Sequence, residues 1–131
     1  MVDDFHGSME WAGFVQSMHR VFPDRAIVEI PIDHDVFQTF YTIDEVLQVP
    51  NEGNARSVAY GLPNARTYES DGYEPHVRGI FANDGRLMVL INWNTDLGDA
   101  WEWAEQPDYP LEFSTYAFEM GVNMILYSMT H

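Results

Sequence analysis

The stretch VLINWNTDLGDAWEW (residues 89–103) decides how this chain is read. Leu87 to Ile91 is an unbroken apolar run of strand length. Asn92, Asn94, Asp96 and Asp99 follow it, with Trp101 and Trp103 close behind. A buried strand that runs into a polar loop and then a helix is α/β architecture, and in open α/β sheets ligands collect beyond the carboxyl ends of strands. The four polar residues and Trp101 are therefore candidate ligand-facing groups. The structural alternative is a helix cap, with Thr95 or Asp96 accepting the first free N–H groups and Asp99 favouring the positive helix end. Both roles are compatible. Oxygen side chains at 92, 94 and 96 also imitate a calcium loop, but that loop needs glycine sixth and glutamate twelfth, where Leu97 and Trp103 stand. Asp96 is left as a weak candidate for a divalent cation. No other cofactor is expected.

Working outward, Val77–Phe81 and Arg86–Asn92 flank Ala-Asn-Asp-Gly at 82–85, which predicts a β-hairpin near residues 77–92. Beyond it, Phe113, Tyr116, Ala117, Met120, Met124 and Tyr127 recur at helical spacing, with Pro110 suited to the first turn of a long C-terminal helix. Upstream, Met1–Phe5 reads as a strand end. Ser8 reads as the N-cap of a helix carrying Trp11, Phe14, Val15, Met18 and Phe22. Ala26–Ile32 is β-branched and holds Pro31, which fits a strand near an edge. The middle is irregular, with a helical turn expected at Val36–Tyr41, a short strand at Glu45–Val49, and turns at Asn51–Asn54 and Gly61–Asn64.

The 131 residues suit one domain, and 46% hydrophobic with 15% aromatic residues argues for a packed core. The formal charge is −15, and all six basic residues are arginine. Such a surface repels phosphate backbones and anionic lipid, so neither nucleic-acid binding nor membrane insertion is expected. Without cysteine there is no disulfide framework, thiolate metal site or cysteine nucleophile. No Gly-x-Ser-x-Gly elbow or phosphate-cradling loop is present, so the balance lies against an enzyme. No apolar leader precedes the first motif, and the expected location is the cytoplasm, or a soluble domain of a larger exported protein.

Two further clusters carry chemistry. Asp3, Asp4 and His6 stand at the first strand end and suit proton transfer or a cation, although Asp3 and Asp4 would point to opposite faces. His34, in Asp33-His-Asp35, and His76, in Glu74-Pro-His-Val-Arg78, each have acids to orient an imidazole. His76 immediately precedes a strand. Arg78 suits an anion or a pair with Glu74.

Six segments carry a resemblance: Val2–Phe5, Arg20–Arg25, Ile30–His34, Glu74–Ile80, Asn94–Asp99 and Tyr127–His131. Through them the chain resembles a bacterial family, the domain of unknown function numbered four-one-five-nine. That family is similar, more distantly, to the trehalose-utilisation (ThuA-like) group of the class I glutamine-amidotransferase-like superfamily, through Asp33-His34 and Thr95–Gly98. The second resemblance implies a flavodoxin-like three-layer sandwich. It implies too that residues 1–131 form a single α/β domain that is the C-terminal half of a larger ThuA-like domain, and that the cut surface drives self-association. The superfamily's cysteine nucleophile is absent, which removes its usual glutamine hydrolysis. The expected function is a non-catalytic or catalytically degenerate domain. It would bind a small polar ligand or a protein partner where Asp3, Asp4, His6, His76 and Asn92–Asp99 converge. The alternative is a hydrolase or isomerase of a sugar-like substrate.

Overall fold

The computed structural model describes all residues, Met1–His131. Its elements run α1 (Gly7–Val21), β1 (Val28–Glu29), a 3-10 turn (Asp35–Phe37), α2 (Glu52–Ala59), β2 (His76–Phe81), β3 (Leu87–Trp93), α3 (Leu97–Glu102) and α4 (Leu111–Thr130). The predicted hairpin is β2–β3. Asn83-Asp-Gly85 closes it, with Gly85 at φ +87°, a conformation that glycine adopts without a Cβ clash. β2 pairs antiparallel with β3 in the register Val77↔Asn92 and Arg78↔Ile91. β1 adds a two-residue edge, Val28↔Gly79 and Glu29↔Arg78.

The sheet is mixed with helices as expected, but its three strands are antiparallel. The parallel sheet that the distant resemblance implies is not formed. One parallel pairing exists, a bridge from Val2 to Ile91. In it the Val2 N–H donates to the Leu90 carbonyl at 2.8 Å, and the Asn92 N–H donates to the Val2 carbonyl at 2.9 Å.

Alternation along β2 and β3 sorts side chains onto two faces. Val77, Leu90 and Asn92 point toward α3 and α4. Val77 and Leu90 join a core with Val36, Phe37, Leu97, Ala100, Phe113, Ala117 and Met120. Burying each large apolar side chain of that set contributes roughly 1.5–3 kcal/mol. Arg78, Ile80 and Trp93 point the other way, toward α1, where Trp11 lies 4.6 Å from the Trp93 ring. A register irregularity between Ile80 and Phe81 sets Phe81 opposite Leu87 and leaves Met88 as an extra residue on β3.

Local expectations fail where distant groups supply the partner. α1 begins at Gly7, and Ser8 is not its cap. The first N–H groups are met from elsewhere: Gly7 donates to Asn94 Oδ1 at 2.9 Å and Ser8 to Asp71 Oδ1 at 2.8 Å. Glu45–Val49 forms no strand. Its end lies along the strand-end loop instead, with Val49 N–H donating to Thr95 Oγ1 and Asp96 N–H to the Val49 carbonyl. Asn51–Asn54 is not a free turn but the start of α2, with Asn51 capping the Asn54 N–H at 2.9 Å. Of the expected turn at 36–41, Val36 and Phe37 are buried, while Phe40 and Tyr41 are exposed.

Candidate functional site

The polar burst after β3 caps helices. Asp96 is the N-cap of α3, its Oδ1 accepting the Asp99 N–H at 2.8 Å. Asp3 reaches the same helix end from the N-terminal segment, its Oδ2 accepting the Gly98 N–H at 2.9 Å. Asp99 Oδ2 accepts the Glu52 N–H at 2.7 Å and so ties α2 to α3. Asn94, held at φ +63°, accepts from Gly7 through Oδ1 and donates through Nδ2 to the Glu74 carbonyl at 2.7 Å. These residues lock three loops to one strand end.

Burial makes these carboxyls unusual. Desolvation pushes Asp3 up to about 6, against the lowering effect of the Gly98, Asp4 and Leu97 N–H groups. Desolvation likewise pushes Asp96 up to about 7; the Asp99 N–H pulls it down, and the charges of Asp99, Asp4 and Asp3 add to the rise. Tyr109 and Tyr116 are pushed up by burial, with Asp99 and Asp96 adding for the first and Asp3 for the second. Asp3 Oδ1, both amide atoms of Asn92 and the Tyr109 hydroxyl are buried without a hydrogen-bond partner. No group of three or more His, Cys, Asp or Glu side chains is arranged to hold a metal ion. Asp96, the weak cation candidate, belongs to no such group.

Asp4 and His6 form a separate corner. Asp4 sits at φ +60°, which an L-residue adopts at some cost, and its carboxylate turns outward from Asp3. The His6 side chain is only 6% exposed, yet neither ring nitrogen has a hydrogen-bond partner. Its Nε2 lies 3.8 Å from Asp4 Oδ1 and 3.6 Å from Glu69 Oε1. Both separations exceed a direct hydrogen bond. Its backbone N–H donates to Glu10 Oε2 at 2.6 Å.

The other expected members stand apart. His76 lies opposite Trp93 in the register and so faces α1, away from Asn92. It stacks on Trp93 at 5.0 Å and contacts Glu29 Oε1 at 3.0 Å. Arg78 pairs with Glu29 at 2.7 Å, not with Glu74, and its guanidinium lies over both the Trp11 and Trp93 rings. His34 caps the 3-10 turn, its Nδ1 accepting the Val36 N–H. Trp101 walls no polar pocket; it lines an apolar groove with Leu90 and Phe118. Sequence reasoning missed Glu69, Tyr109 and the buried Gln48, which donates to the Gly72 and Asn94 carbonyls. Only Glu10, one turn into a helix and able to reach back to the cap, left a local signal.

The fold is a mixed α/β domain, four helices with a three-stranded antiparallel sheet. The chain belongs to the family described as a domain of unknown function (DUF4159), which it matches over residues 1–129. No curated protein and no solved structure matches it. No helix is long and apolar enough to cross a membrane.

Proposed function

We propose that this chain is a non-catalytic, or catalytically degenerate, binding domain. It takes a small polar ligand, or a polar group of a protein partner, in the corner of Asp4, His6 and Glu69. The observation that carries this reading is His6, nine-tenths buried with both ring nitrogens free and two carboxylates just beyond bonding range. A buried polar group without a partner costs about 1–3 kcal/mol, a cost that a bound donor or hydroxyl would remove. An amine or hydroxyl placed there meets a ring nitrogen and two carboxylates at once. The left-handed backbone of Asp4 fits a residue held for such a role. Kinship with the ThuA-like group belongs to the same proposal. It is supported by α1 and α4 on opposite faces of the sheet, the parallel Val2–Ile91 bridge and the polar loop beyond β3.

Imidazole resonances of His6, followed by NMR, test the reading with ethanolamine, arginine and glucose as probes. Saturable movement with one of them, lost in Glu69→Gln, is the expected result. No movement with any probe overturns it. The second reading, acid/base chemistry on a sugar-like substrate, is favoured by Asp3 and Asp96 standing near 6 and 7, the working range of a general acid or base. Both carboxyls are engaged by backbone N–H groups, and neither lines the apolar groove. Glycosidase activity that disappears in Asp3→Asn and survives His6→Ala would put this reading first.

A further inference from the structure

A groove of 590 Å³ runs between β3 and α4, lined by Leu87, Met88, Leu90, Phe118, Val122 and Ile125 among others. No charged side chain lines it, in a chain of net charge −15. The bulge at Met88 falls within this lining, where Leu87, Met88 and Leu90 all face the groove. The same bulge disrupts the strand edge and disfavours an added strand. α4 points to a helix instead. Leu111, Thr115, Phe118, Val122, Ile125 and Met129 follow at spacings of 4, 3, 4, 3 and 4, the seam of a coiled coil. They lie opposite the core-facing Phe113, Ala117 and Met120, and Leu111, Phe118, Ile125 and Met129 are 77%, 50%, 62% and 75% exposed.

We propose that this face docks a second copy of the chain, α4 packing antiparallel on its counterpart about a twofold axis near Met120. The spacing reads the same from either end, so antiparallel pairing sets Leu111 against Met129, Thr115 against Ile125 and Phe118 against Val122. Charge selects that orientation. Glu112 and Glu119 are the only charged side chains of α4, both in its N-terminal half. Parallel pairing would set them against their own copies, whereas antiparallel pairing sets them against the uncharged segment 120–130. With Leu111, Phe118, Ile125, Met129 and Met1 each half exposed or more, the seam offers on the order of 500 Å² of exposed surface. The half-buried Val122 and Trp101 add to it, toward the roughly 800 Å² per partner of a standard interface.

The chain has no cysteine, which makes crosslinking a clean test. Thr115→Cys and Ile125→Cys chains, mixed and oxidised, are expected to give the mixed disulfide well above either homodisulfide. Sedimentation of the wild-type chain is expected to give a dimer at about 100 µM, a concentration chosen for an interface at the small end of the standard range. Ile125→Asp, with Met129→Glu as a second variant, is expected to return a folded monomer with unchanged circular dichroism. A wild-type monomer at that concentration, a dimer that survives both variants, or a dominant homodisulfide of the Thr115→Cys chain overturns the proposal.

Discussion

Replacing Asp96 by asparagine should stabilise the protein at pH 8 and leave it nearly unchanged at pH 4. Asp96 is 5% exposed, and burial lifts its carboxyl from 3.8 to about 7. A folded-state pKa above the unfolded one means the folded chain keeps a proton that the unfolded chain releases. This contribution to stability is full below about pH 4 and is lost as pH rises through about 7. Each pKa unit is worth about 1.4 kcal/mol, so a rise of some three units sets a ceiling near 4 kcal/mol. Asparagine accepts the Asp99 N–H as well as aspartate does, so the cap survives. The lost attraction of the charge to the helix end returns about 0.3–1 kcal/mol of the gain. With local relaxation, the net expectation at pH 8 is a gain of about 1–2 kcal/mol. Urea unfolding of both proteins at pH 4 and pH 8 reads the difference directly and cancels the general repulsion of the other carboxylates. An Asp96→Asn variant less stable than wild type at pH 8, or a difference independent of pH, refutes the reasoning.

Other substitutions probe buried polar packing, two at the same strand end and one on α4. Asn92 is 1% exposed with neither amide atom bonded, so Asn92→Leu should raise stability by about 1 kcal/mol in chemical denaturation. Gly72→Ala should lower stability by about 2 kcal/mol, because a Cβ there stands 2.3 Å from Asn94 Oδ1. Asn94 has no room to yield, since both ends of its amide are bonded. Asn123→Ala should cost about 2–4 kcal/mol and depress the melting temperature: it removes the acceptor of the Phe40 and Tyr41 N–H groups and the donor to the Tyr41 carbonyl.

What was legible in the sequence was local. Asn83-Asp-Gly85 between two apolar runs sufficed for the hairpin, because turn chemistry and strand pattern lie within twenty residues of each other. Asp96 could be read as a cap from its place before Leu97. The C-terminal helix announced itself through the spacing of Phe113 to Tyr127. The middle of the chain was opaque because its partners are remote. α2 starts at Asn51 and is tied down by Asp99, and Ser8 is held by Asp71 rather than capping its own helix. Segment 45–49, with Val46, Leu47 and Val49, had the composition of a strand, but it pairs with a loop. Alternation, which the choice of candidate residues left out of account, places His76 and Asn92 on opposite faces of the sheet. No spacing rule would have brought Glu69 to His6.

A crystal structure of the protein soaked in ethanolamine tests the central claim most directly. The account predicts an ordered ligand nitrogen or oxygen within about 3 Å of both His6 Nε2 and the Glu69 carboxylate, set beside this 3.6 Å pair and bridging it. A His6 ring that bonds Asp4 or Glu69 directly, with nothing between them, would contradict it.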